Sequence, residues 1–184
     1  MVAIQLKRWT RREYDKMVEA GVFSPDDRIQ LIEGEIVQMT PQNVRHAAGI
    51  VATDEALKRI FGAGFHIRVQ LPLALGDHSE PEPDVAVVSG DWRVYLTSHP
   101  TTALLVVEVA DSSLEFDRTR KARIYARAGI VEYWIFNLLD QVVEVYRDPT
   151  PNDGYATQRI AGASESIQPM GAPRATIAVA ELLP

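Results

Sequence analysis

Cysteine is absent from this 184-residue chain, so disulfides, thiol nucleophiles and cysteine zinc sites are excluded and whole redox families drop out. A reducing compartment is the natural setting. Long apolar runs are missing too: Ala103 to Val107 is cut off by Glu108, far short of the ~18 residues needed to span a bilayer. The six residues before Lys7 are too few for the apolar core of a signal peptide, so a soluble, cytoplasmic protein with no membrane partner is expected. Positive charge is not in excess. Lys and Arg number 19 against 25 Asp and Glu, a net charge of -6, so any nucleic-acid contact must be local. There is no Gly-x-Ser-x-Gly elbow and no glycine-rich phosphate loop ending in Lys-Ser or Lys-Thr. The four histidines lack close ligand spacing, which argues against a histidine metal cage.

What is present is an ordinary globular mixture, 46% hydrophobic and 24% charged, enough to build a core. At about 150 residues per domain, residues 1–184 form one domain. Thr10 and Glu13 have capping-box spacing and Gly21 follows, which predicts a helix over 11–20. Residues 28–39 alternate around Glu33-Gly34 as a hairpin would. Asn43 then caps a largely buried helix that Gly62 stops. From Phe65 the period becomes two, a strand ended by Pro72. Val85–Val88 and Leu104–Ala110 read as buried strands, followed by a helix rich in Arg and Lys. Residues 131–136 and 141–146 read as paired strands, 148–154 as a loop, and 157–160 and 175–179 as weaker strands. The order implies an α/β (α+β) domain with a mixed central sheet flanked by helices.

Three residues stand out chemically. Glu108 lies in Leu-Leu-Val-Val-Glu-Val-Ala, where a carboxylate costs several kcal/mol unless a cation or donors compensate it. Lys121 shares a helical stripe with Ile124, Tyr125 and Ala128, an unusual place for an ammonium, and Asp117 lies on the same face. Asp84 follows Pro83 at the entry of a hydrophobic strand. Strands successive in sequence tend to be neighbours in space, so Asp84 and Glu108 can converge, and an oxygen-only pair suits magnesium or manganese. For each residue a bland account stands beside this one: a turn aspartate, a strand-end glutamate, a snorkelling lysine.

Glu82-Pro-Asp-Val-Ala-Val-Val, Leu-Val-Val-Glu-Val-Ala-Asp-Ser-Ser, Asp117 with Lys121, and Tyr125-Ala-Arg-Ala-Gly-Ile-Val-Glu-Tyr-Trp-Ile together resemble the Uma-type endonucleases of the PD-(D/E)XK nuclease superfamily, over roughly residues 10–180. The resemblance implies a restriction-endonuclease-like fold, with Asp84 and Glu108 as metal ligands for one or two Mg (or Mn) ions and Lys121 as the catalytic lysine. The superfamily's lysine normally stands two residues after the glutamate; here Ala110 does, so the cation must come from the next helix. Gln30 stands where the family often has a glutamate, with Glu33 or Glu35 as candidate substitutes. His46 and Gln70 also match recurrent family positions, with packing or hydrogen bonding the expected role.

The expected function is metal-dependent hydrolysis of DNA phosphodiester bonds. Cleavage of both strands requires two sites, which would suit a homodimer. The rivals are a nuclease-like fold that binds nucleic acid or protein without turnover, and a glycosidase using Asp84 and Glu108, against which Lys121 argues. Arg118, Arg120, Lys121, Arg123 and Arg127, with no acid among residues 118–127, form either a phosphate-binding patch or a solvated helix face. Trp134, in a strand-like run, is expected in the core rather than stacked on a base.

Overall fold

The computed structural model describes residues 5–24, 26–152 and 154–184. Met1 to Ile4, part of the segment weighed against a signal peptide, and Asp153 of the expected loop lie outside them. Helix α1 (Arg11–Glu19) begins at the capping box, with the Thr10 side chain accepting from Glu13 N and the Glu13 side chain accepting from Thr10 N. Strands β1 (Ile29–Ile32) and β2 (Glu35–Gln38) form the hairpin. Its two-residue turn needs positive φ at both positions, and Glu33 (φ 50°) and Gly34 (φ 79°) supply it. At Gly34 a Cβ would also lie 2.8 Å from Arg8 Cβ, so glycine is required twice over.

Asn43 caps α2 (Val44–Ile60), accepting from His46 N. Only one face of α2 is covered: Ile50, Thr53, Ala56 and Leu57 are buried, whereas Val44 and Val51 are exposed. The expectation of a largely buried helix is corrected here, because valines at those positions face away from the sheet. Strands β3 (Phe65–Val69), β4 (Val85–Ser89) and β5 (Leu105–Ala110) follow, then α3 (Leu114–Phe116), a π-helical turn over Asp117–Lys121, and α4 (Ala122–Arg127). After these come β6 (Glu132–Asn137), β7 (Val142–Thr150), β8 (Gly154–Gly162), β9 (Ser166–Ile167) and β10 (Ile177–Ala178). The expected loop at 148–154 is corrected: Pro149 and Thr150 pair with Tyr155 and Gly154, so the β7–β8 ladder extends into it.

The main sheet runs β3-β4-β5-β6-β7-β8. Every neighbouring pair is antiparallel except β5 and β6, which are parallel. Parallel neighbours require a crossover, and α3, the π turn and α4 are that crossover. Both β5 and β6 are buried along their whole length, as expected of strands covered on two faces. One face packs Val85, Val87, Val107, Val109, Trp134 and Phe136 beneath α2 and the C-terminal residues. The other packs Ala86, Val106, Tyr133 and Ile135 against α4 and the hairpin. Trp134 is a core residue, fully buried. Among the described residues no helix is long and apolar enough to cross a membrane.

Candidate active site

At one end of the β4–β5 junction the sheet opens into a narrow cleft. In the β4–β5 ladder Val85 pairs with Val107, so one further step sets Asp84 opposite Glu108. Both side chains line the cleft, joined by Gln30, His46, Gln70, Glu82 and Lys121. The three candidate residues therefore share one site. Its volume is about 60 Å³, room for a few water-sized spheres at ~10–15 Å³ each.

Asp84 is buried and held from three sides. The Val109 N–H donates to Oδ2 at 2.8 Å, Gln70 Nε2 donates to Oδ1 at 3.3 Å, and His46 Nε2 lies 3.2 Å from the carboxylate. Burial alone would raise its pKa; the hydrogen bond and charge of His46, the Lys121 ammonium and the Val109 N–H outweigh it and keep the carboxyl below its usual range. Gln70 reaches this position because its backbone is left-handed (φ 50°) just beyond β3. A strand residue directs its N–H and C=O to the same edge, so the Val109 carbonyl faces the Asp84 side as well.

Glu108 is 2% exposed. Lys121 Nζ lies 2.9 Å from Oε1, and the Tyr125 hydroxyl donates to the same oxygen at 2.6 Å. Oε2 makes no hydrogen bond among the described residues and is not sealed off, which leaves it to the cleft. Burial, reinforced by Asp117 and Asp84 and opposed by Lys121, pushes the Glu108 carboxyl up to about 8. Lys121, 1% exposed, sits between Glu108 and Asp117, with Asp117 Oδ1 3.6 Å away. Burial would discharge it, but Glu108, Asp117 and Asp84 hold the ammonium well above its usual value. Ser113 Oγ donates to Asp117 Oδ2 at 2.6 Å, while Asp117 Oδ1 is buried without a hydrogen-bond partner.

Three buried carboxylates thus surround one ammonium, an arrangement short of positive charge. Among the described residues no group of three or more His, Asp or Glu is arranged to hold a metal ion. A set of two carboxylates with one carbonyl remains, which fits an ion that keeps most of its waters.

Other expected contributors lie elsewhere. Glu33 and Glu35 do not line the cleft; Glu35 pairs with Arg8 and Arg120, and Glu33 with Arg120 and Arg127. Gln30 does line it, accepting from Glu82 N at 3.3 Å, with its Nε2 buried and unpartnered. Glu82, quoted above only as part of a motif, stands at the cleft's edge. Tyr125, expected merely to pack, touches Glu108 directly. The basic run is not an open phosphate patch: Arg118 pairs with Glu144, Arg120 with Glu35, Lys121 with Glu108 and Arg127 with Glu33, leaving Arg123 unpaired among the described residues.

Residues 11–180 match the Uma2 family, described as "Putative restriction endonuclease". The fold is similar to a crystal structure from Anabaena variabilis titled a putative nuclease belonging to DUF820, with a TM-score of 0.74 over 94% of this chain and 96% of that one, at 17% identity. No curated protein matches the sequence. The chain belongs to the Uma2 family.

Proposed function

We propose that this Uma2-family chain is a metal-dependent endonuclease that hydrolyses DNA phosphodiester bonds in the Asp84–Glu108 cleft. The observation that carries the reading is Lys121 at 2.9 Å from Glu108 Oε1 and fully buried, a position that costs several kcal/mol and that packing alone does not reward. Asp84, Glu108 Oε2 and the Val109 carbonyl would hold a Mg or Mn ion. Bound there, the ion would polarise the scissile phosphate and lower the pKa of an attacking water.

The chain's own residues supply the remainder. His46, Gln70 and the Val109 N–H fix the Asp84 carboxylate and keep it ionised. Tyr125 and Lys121 both engage Glu108 Oε1 and so turn Oε2 outward. The Lys121 ammonium offers positive charge where a phosphate gains negative charge on attack. A nucleotide does not fit inside about 60 Å³, so the strand would lie across the mouth with only its phosphate entering. Cutting both strands would call for a second copy of the chain.

Purified protein with Mg or Mn should nick plasmid DNA, and chelation should stop it. Lys121→Ala should lose most turnover while still binding metal, and Asp84→Asn should need far more metal, with thermal melting used to confirm that both variants fold. If wild type binds metal yet cleaves no DNA substrate, or both variants nick at the wild-type rate, the assignment fails. The alternative is a nuclease-like binding module without turnover, favoured by Gln30, which brings no charge to the cleft.

A further inference from the structure

Most of the charged groups in the cleft are already engaged. Of the three basic side chains that line it, Lys121 is held by Glu108 and His46 by Asp84, which leaves Arg28. Arg28 is exposed, and its guanidinium makes no ion pair or hydrogen bond among the described residues. Its carbonyl accepts from the Met39 N–H at 2.6 Å, which continues the β1–β2 pairing by one step, so the alternation of β1 reaches back to it. Arg28 and Gln30 therefore project from the same side of the hairpin, and both line the cleft.

Gln30 repeats the pattern at greater depth. It is 1% exposed, and its Oε1 accepts from the Glu82 N–H. That contact fixes which end of the amide is left over: the donor Nε2, buried and without a partner. A buried donor is costly when no acceptor answers it.

The cleft thus has two unlike sides. The main sheet contributes the Asp84 and Glu108 carboxylates, which call for a cation. The hairpin contributes two unanswered donors, one of them charged, which call for an anion. Neither remaining acid supplies it: Asp111 accepts from Asn43 Nδ2 at 2.7 Å, and Glu82 feels the Arg28 charge without standing in ion-pair contact. A phosphodiester carries negative charge on two non-bridging oxygens and donates nothing, and the guanidinium fork matches that geometry.

We propose that the hairpin side of the cleft seats the phosphodiester of a DNA strand, with Arg28 clamping its non-bridging oxygens at the mouth and the Gln30 amide donating from within. The inference rests on the nuclease reading and names the residues that hold the phosphate apart from the metal.

The test measures binding of a short DNA duplex with calcium in place of magnesium, since calcium takes the same oxygen donors. Wild type is compared with Arg28→Gln, Arg28→Lys and, as a control, Arg174→Gln, which alters an exposed arginine outside the cleft. Arg28→Gln should bind roughly tenfold more weakly, the effect of losing one charge-assisted hydrogen bond. Its log–log salt slope should be smaller by about one. Arg28→Lys should keep the slope and recover part of the affinity, and Arg174→Gln should match wild type. On wild type alone, the duplex should move the Gln30 side-chain amide signals saturably. Unchanged affinity and slope in Arg28→Gln, an equal loss in Arg174→Gln, or Gln30 signals that do not respond would each overturn the proposal. So would a lower melting temperature of Arg28→Gln with the slope intact, which is the mark of a purely structural arginine. Nicking in magnesium separates this inference from the nuclease reading. A wild type that binds through Arg28 yet never nicks removes hydrolysis and leaves the phosphate seat; nicking with an unchanged KM in Arg28→Gln removes the seat and leaves hydrolysis.

Discussion

Tyr125 carries a hydroxyl into a place where hydroxyls are expensive, and Glu108 Oε1 at 2.6 Å is its compensation. A buried hydrogen bond contributes about 0.5–1.5 kcal/mol net, so Tyr125→Phe should lower the melting temperature by a few degrees. It should also raise the metal concentration needed for half-maximal nicking, because Oε2 is then free to rotate away from the cleft; calorimetric metal titration checks this separately from stability. At this scale the sequence was legible wherever a residue was out of keeping with its own neighbours. Glu108 in an apolar strand and Lys121 on an apolar stripe both announced themselves, and both line the cleft. Residues whose roles depend on distant partners did not. Arg118 and Arg120 read as part of either a phosphate-binding patch or a solvated helix face, but Glu144 and Glu35, 26 and 85 positions away, pair with them. Tyr125 gave no signal, since a tyrosine on an apolar stripe is ordinary packing.

Among the elements, α2 meets β5 at Gly49, where an added Cβ would lie 3.0 Å from Val109 Cγ1. Alanine favours a helix interior by about 1 kcal/mol over glycine. Val109 cannot yield easily, being 1% exposed and tied through its N–H to Asp84. Overpacking costs about 1–3 kcal/mol, so Gly49→Ala should be net destabilising by up to about 2 kcal/mol despite its better propensity, and denaturant titration gives the sign. The element pattern was readable because caps, turn glycines and period-two runs act locally: Thr10 with Glu13, Asn43, and Glu33-Gly34 all do in the structure what their spacing implied. The π turn was not readable. The Ala122 N–H reaches back five residues to the Asp117 carbonyl, a choice set by how the segment docks on the sheet and not by propensity.

For the molecule as a whole, the Arg118–Glu144 pair fastens the π turn to β7, with Tyr146 and Asn137 also donating to the Glu144 carboxylate. Burial opposes ionisation there, but the hydrogen bonds from Arg118, Tyr146 and Asn137 prevail and keep Glu144 below its ordinary pKa of 4.5. A carboxylate depressed on folding contributes stability that is full above 4.5 and is lost as pH falls through the lower folded value. Wild type should therefore lose melting temperature on acidification below about pH 4.5, and Glu144→Gln, though less stable at neutral pH, should lose less over the same interval. Coinciding slopes for the two proteins would contradict this. A last consequence follows from the crossover between β5 and β6. The parallel pairing of Glu108 with Ile135 is long-range in sequence, and the chain linking the two strands is the one that carries Lys121. Contacts of that span close late during folding, because the loop entropy must be met before pairing rewards it. The acid of β5 and the cation of the crossover are therefore brought together only as the sheet finishes, and a nascent or partly unfolded chain lacks the assembled cleft. Competence is thus coupled to completion of the fold.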